Sequence, residues 1–130
     1  GTALASDSST VFLESRKGTT RQASISLSGR GPEGEAISLQ FASGAVSANP
    51  AMLGVGANAD AKIPDNRKEY KVSRMHARLG YDGANFTIED NKSLNGTKLN
   101  GKSVEPHQAV AIMNGDVILL ADVELRVSVS

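Results

Sequence analysis

Four Asx-Gly dipeptides, Asp82-Gly83, Asn95-Gly96, Asn100-Gly101 and Asn114-Gly115, punctuate a run of short apolar segments. Both residues of such a pair tolerate positive φ, so each pair favours a tight reversal of the chain. Around them the hydrophobic period is two. Ala23, Ile25 and Leu27 alternate with polar residues, Gly29-Arg30-Gly31-Pro32-Glu33-Gly34 reads as a turn, and Ile37, Leu39 and Phe41 alternate again, which predicts a hairpin. Further strands are expected at 52–55, 61–63, 76–80, 85–89, 97–99, 109–113, 116–120 and 124–129. No window sustains a 3.6-residue period with caps, so no helix is required. The spacing predicts an all-β sandwich of antiparallel sheets. Leu79, Phe86, Ile88, Ile112, Val117, Leu119, Leu125 and Val127 would fill its interior.

A chain of 130 residues is one domain by size and long enough to bury its own core. Residues 1–21 are rich in Ser, Thr and charge, with Val11-Phe12-Leu13 as their apolar cluster, and read as a linker or loosely docked lead-in to a domain over 22–130. Basic and acidic residues balance at 14 each, so no global field draws the chain to nucleic acid or an anionic membrane. With no cysteine there is no disulfide framework, thiol nucleophile or cysteine-ligated zinc. No apolar stretch approaches the roughly 20 residues that cross a bilayer, so direct membrane insertion by this segment is not expected. The start at Gly1-Thr2 without methionine reads as a piece cut from a longer protein, with an intracellular, cytoplasmic setting as the default.

Several motifs weaken when their mechanics are applied. Gly54-Val55-Gly56-Ala57-Asn58-Ala59 fits a dinucleotide fingerprint, which needs a following helix to meet the pyrophosphate, yet Asp60–Asp65 contains Pro64 and no helical pattern. Ser73, His76 and Asp90 can be arranged on paper as a hydrolase triad. The serine lacks its strained elbow, and in an extended segment positions three apart point to opposite faces. His76 and His107, the two histidines, have no ligand spacing around them, so neither a metal nor another cofactor is expected. Asn85-Phe86-Thr87 and Asn95-Gly96-Thr97 are chance sequons in the absence of a secretory signal. The chain does not read as an enzyme.

What remains is Val72-Ser73-Arg74-Met75-His76-Ala77, then Ser93-Leu94-Asn95-Gly96-Thr97, Leu99-Asn100-Gly101 and Asn114-Gly115-Asp116, in that order. Polar side chains gathered in loops between apolar strands suggest a binding rim on a rigid scaffold. The set resembles the forkhead-associated (FHA) domain family over about residues 23–130. The resemblance implies an eleven-stranded β-sandwich whose loops at one end bind phosphothreonine peptides. It further implies that Ser73 contacts phosphate, that Arg74 faces the peptide, that Asn95 holds the peptide main chain, and that His76, Gly96, Asn100 and Gly56 support the loops.

Two positions depart from the family pattern. Its phosphate-binding Gly-Arg aligns with Gly56-Ala57, so the bidentate guanidinium is replaced by a methyl group. Leu94 stands where the family often has a hydroxyl, and offers an amide in its place. Arg67, Lys68, Lys71, Arg74 and Arg78 form a local basic surplus against Glu69. Such runs are ordinarily solvated loops, but Lys71 or Arg74 could bring a cation to the depleted pocket. Gly29-Arg30 lies in the first hairpin, far upstream. The expected function is therefore a non-catalytic protein-protein interaction module with a degenerate phosphate pocket. The alternative is a phosphate-independent interaction or self-assembly domain.

Overall fold

The computed structural model describes residues 22–130, and the lead-in expected over residues 1–21 lies outside them. Eleven strands and one short helix follow in order: β1 (Ser24–Arg30), β2 (Ala36–Ala42), α1 (Ser43–Ala48), β3 (Ala51–Gly54), β4 (Ala61–Lys62), β5 (Ala77–Tyr81), β6 (Phe86–Asp90), β7 (Thr97–Leu99), β8 (Lys102–Ser103), β9 (Val110–Ile112), β10 (Val117–Leu120) and β11 (Val123–Val129). They make a six-stranded sheet, β8-β7-β10-β11-β1-β2, and a five-stranded sheet, β9-β6-β5-β3-β4. Pairing is antiparallel throughout except between β3 and β4, which run parallel.

Alternation explains the layers. Ile25 and Leu27 of β1, Leu125 and Val127 of β11, and Ile118 and Leu120 of β10 are buried from one sheet. Leu53, Leu79, Phe86, Ile88 and Ile112 meet them from the other, forming one continuous core. At β10 the expected phase is wrong by one residue. Val117 and Leu119 are half-buried, whereas Ile118 and Leu120 are fully enclosed. Val-Ile-Leu-Leu is apolar at every position, so a period of two cannot tell which face is which.

Two elements depart from the sequence expectation. Helix α1 was not required by any pattern: it has no side-chain cap, no acid in its first turn and no base in its last. Tertiary contacts make it, through buried Val46 and through Ser43, whose Oγ accepts from Ala23 N–H at 3.1 Å. The short strand β8 follows from the turn before it. Asn100 at φ 51° and Gly101 at φ 86° form a two-residue reversal that pairs Lys102 with Leu99.

The chain ends of the strands sort into two groups. One end of the sandwich collects the β3–β4, β4–β5 and β6–β7 loops with the β10–β11 turn, tied together by the bonds described below. Among the described residues, no helix is long and apolar enough to cross a membrane.

Candidate functional site

His76 is the hub of that loop end. It is completely buried, and its ring bridges two loops. Nδ1 accepts the Ser73 main-chain N–H at 2.9 Å, and Nε2 lies 2.9 Å from the Gly96 carbonyl. Because Nδ1 must accept, the proton sits on Nε2 and is donated to Gly96. Burial pushes the imidazole below its ordinary value, against the opposing pull of the Gly96 carbonyl and the Asp90 charge. Its main chain is held on both sides, with its N–H on Leu53 C=O at 2.8 Å and its C=O receiving Asn91 N–H at 2.9 Å. The segment 73–76 turns rather than extends. The imidazole therefore meets Ser73 through its main-chain N–H rather than its hydroxyl.

The rim is built on this hub. Ser73 Oγ accepts the Leu94 N–H at 3.1 Å, and Asn95 Nδ2 donates to the Lys71 carbonyl at 2.8 Å, so the β4–β5 and β6–β7 loops are stitched edge to edge. Beneath them, buried Asp90 takes the hydroxyls of Ser93 and Thr97 at 2.6 Å each and the Ser93 N–H at 3.1 Å. Ser93 Oγ in turn accepts the Gly96 N–H at 3.0 Å. Asn91 Nδ2 reaches back to the Met75 carbonyl at 3.0 Å. Ser73, Asn95, Gly96 and His76 thus come together as one constellation.

A second clamp shapes the β4–β5 loop. The Asp65 side chain is fully enclosed and accepts main-chain N–H groups from Lys71 at 2.8 Å and Val72 at 3.2 Å. Arg67 pairs with it through Nε at 2.7 Å and Nη2 at 2.8 Å, then reaches Asp122 in the β10–β11 turn at 2.7 and 2.9 Å. The Arg67 guanidinium, with these amides, holds the Asp65 carboxyl well below the usual carboxylate range despite its burial. Sequence reasoning missed Asp65 and Arg67 as organisers, because an Asp-x-Arg pair in a charged loop has no distinguishing pattern.

The basic surplus sorts itself by these contacts. Arg67 is committed to Asp65 and Asp122, and Arg78 to Glu89 at 3.2 Å and Asn91 at 3.3 Å. Arg30 stays in its own hairpin, donating to the Gly34 carbonyl. Lys68, Lys71 and Arg74 are exposed and make no ion pair among the described residues. Arg74 Nε lies 3.3 Å from the Tyr70 hydroxyl. Together with Val55, Gly56, Ala57, Asn58 and Asp65 these two residues line an open groove of about 460 Å³.

Two glycines, Gly54 at the end of β3 and Gly56 in the β3–β4 loop, explain how close this groove lies to the rim. A Cβ on Gly54 would stand 2.0 Å from the Arg74 carbonyl oxygen, and one on Gly56 would stand 2.8 Å from Arg74 Cβ. Gly56 N–H donates to that same carbonyl at 3.0 Å, and Val55 N–H to Ser73 C=O at 3.2 Å. Gly54 is the position with least room, and the residue after it is Val55. Whichever glycine is matched, the next residue, Val55 or Ala57, carries no cation. Leu94 is 89% exposed and does not close the rim. Asn100 stands apart from the constellation: it bonds Asp116 Oδ1 at 3.1 Å and Val117 N–H at 2.9 Å, at the far end of β7.

The FHA domain family matches residues 53–121, more than half of the chain and the whole of this constellation. The chain belongs to the FHA domain family. An FHA domain-containing protein of Arabidopsis thaliana is 38% identical over 55 residues, covering 42% of this chain but only 14% of that protein. Solved FHA domains align over most of the chain. One, studied for phosphothreonine-dependent interactions, is 27% identical over 83% of this chain and 96% of its own, with a TM-score of 0.61. The FhaA FHA domain, crystallised in complex with the intracellular domain of another protein, is 28% identical over 81% of this chain and 98% of its own, with a TM-score of 0.59. The kinase-interacting FHA domain of an Arabidopsis kinase-associated protein phosphatase shares the fold, with a TM-score of 0.69 at 22% identity over 84% of this chain and 94% of its own.

Proposed function

We propose that this FHA domain is a non-catalytic recruitment module whose rim takes a phosphothreonine-bearing segment of a partner protein. The observation that carries the reading is the unused bonding capacity at the rim. Ser73 Oγ accepts from Leu94, which leaves its own proton to donate to a phosphate oxygen. Asn95 donates one amide hydrogen to Lys71, which leaves its Oδ1 to accept a main-chain N–H of the bound segment. Arg74, one residue from Ser73 and without a carboxylate partner among the described residues, supplies the cation, with Lys71 beside it as a point charge. A phosphothreonine ligand presupposes a kinase in the same compartment, so the reading places the domain inside the cell.

Neither Val55 nor Ala57 provides the bidentate guanidinium, and each charge-assisted hydrogen bond contributes on the order of 1.5–3 kcal/mol. Binding is therefore expected to be weaker, by roughly one to two decades per missing bond, than at a site holding that arginine. Calorimetric titration of phosphothreonine peptides tests the assignment. Arg74→Ala should weaken binding at least tenfold with the melting temperature unchanged, Ser73→Ala should weaken it at least tenfold with the protein still folded though without its bond to Leu94 N–H, and Lys68→Ala should leave it alone. Equal affinity for the wild type and both rim variants would remove Arg74 and Ser73 from the site.

One observation favours a second reading. Leu94 places an exposed apolar side chain at the crest of the rim, where a partner surface without phosphate could dock. Affinity unchanged after the partner is treated with phosphatase would support it.

A further inference from the structure

Among the described residues, four other than glycine hold positive φ: Lys92 at 54°, Asn100 at 51°, His107 at 62° and Ala121 at 57°. That left-handed conformation crowds a Cβ, so an L side chain is strained where glycine is not. Three of the four have a reason inside the fold. Asn100 bonds Asp116 and the Val117 N–H, His107 faces Glu89 at 3.7 Å, and Ala121 packs against the core. Lys92 has none. Its side chain is exposed and makes no hydrogen bond or ion pair among the described residues. A strained position whose side chain serves no contact of the fold points to a role outside it.

The place of Lys92 says what that role is. It stands in the β6–β7 loop, which is tied to the β4–β5 loop at three successive points. Asn95 Nδ2 bonds the Lys71 carbonyl, and Leu94 N–H bonds Ser73 Oγ. Asn91 bonds Met75 C=O through Nδ2 at 3.0 Å and His76 C=O through its N–H at 2.9 Å. One loop ascends from 71 to 76 as the other descends from 95 to 91, so they meet along a single seam with Ser73 in the middle. Lys71 and Asn95 mark one end of the seam, and Lys92, beside Asn91, marks the other. Its neighbouring acids are already taken. Asp90 is buried beneath the hydroxyls of Ser93 and Thr97, and Glu89 pairs with Arg78.

We infer that Lys92 is a specificity-determining residue of this rim: it reads an acidic side chain of the bound segment, on the side of the phosphothreonine opposite to the main chain held by Asn95. This rests on the phosphothreonine reading above. A lysine ammonium is a compact point charge on a flexible stem, suited to a carboxylate that is not fixed in one geometry. The pair is exposed to water, so its effect is a preference of about two- to fivefold rather than a requirement. Added salt should shrink it.

Calorimetric titration with phosphothreonine peptides that carry Asp or Ala at one flanking position at a time reads the preference. The wild type should bind the Asp form of a position on one side about two- to fivefold tighter. That ratio should fall to about one in Lys92→Gly and in Lys92→Ala, and persist in Lys92→Arg and in Lys71→Ala. Urea unfolding adds a readout that needs no peptide. Lys92→Gly relieves the left-handed residue and should raise the midpoint, whereas Lys92→Ala keeps the strain and should not. Binding with no positional preference, a preference that survives Lys92→Gly, or a midpoint that Lys92→Gly fails to raise would overturn the inference and leave phosphothreonine recognition standing. A wild type that binds no phosphothreonine peptide would overturn both.

Discussion

His76 and Asp65 hold the rim by opposite charge states, and both tie its integrity to pH in the same direction. The imidazole is buried neutral, so below about pH 6.5 the unfolded chain binds a proton that the fold resists. Asp65 is buried ionised with its pKa depressed, so below about pH 4 the unfolded chain again binds the extra proton. Stability should be complete near neutral pH, fall as pH drops through 6.5, and fall further below 4. Urea unfolding at a series of pH values checks this. His76→Gln should flatten the upper limb and Asp65→Asn the lower; an upper limb unchanged in His76→Gln would mean that another group titrates there. At this scale the resemblance implied a packed His76 that supports the loops, and the structure places its ring, buried, between Ser73 N–H and the Gly96 carbonyl. Asp65 was invisible, since burial of a loop carboxylate depends on Arg67 and on amides 6 and 7 residues further on.

Elements were legible where side-chain type and backbone geometry agree. Asn100-Gly101 is such a case, since both residues occupy positive φ in the turn between β7 and β8. Gly101→Ala should lower stability by about 1–2 kcal/mol in denaturant unfolding, with the slope of the transition unchanged. A loss below a few tenths would mean that the turn relaxes into another type. The hairpin of β1 and β2 was equally legible, because Ser alternates with Ile and Leu along β1. Legibility failed where local chemistry is uniform or silent. The four apolar residues of β10 offer no phase, and the inward choice is made by register, which sets Ile118 beside Leu99 and Leu125 and Leu120 beside Thr97 and Val123. Helix α1 is silent in the sequence since Ser43 and Val46 are fixed by Ala23, just before β1, and by the core rather than by caps.

For the whole molecule, the balance of charge conceals a local division of labour. Arg67 and Arg78 are consumed by carboxylates of the fold, while Lys71 and Arg74, close to Ser73 in the chain, remain exposed. That division was not readable from the basic run itself, because which cations are spent depends on Asp122 and Glu89, distant in sequence. The resemblance read from Ser73, His76, Asn95 and Gly96 did identify the scaffold, because three of those side chains and the Gly96 main chain carry bonds that hold its loops together. The most direct test of the central claim is amide chemical-shift mapping of the domain with matched phosphothreonine and threonine peptides. The phosphorylated peptides should move Ser73, Arg74, Leu94 and Asn95, and the unphosphorylated ones should leave those amides in place. No shift at these residues at millimolar phosphopeptide, or the same shifts with both peptide sets, would contradict it.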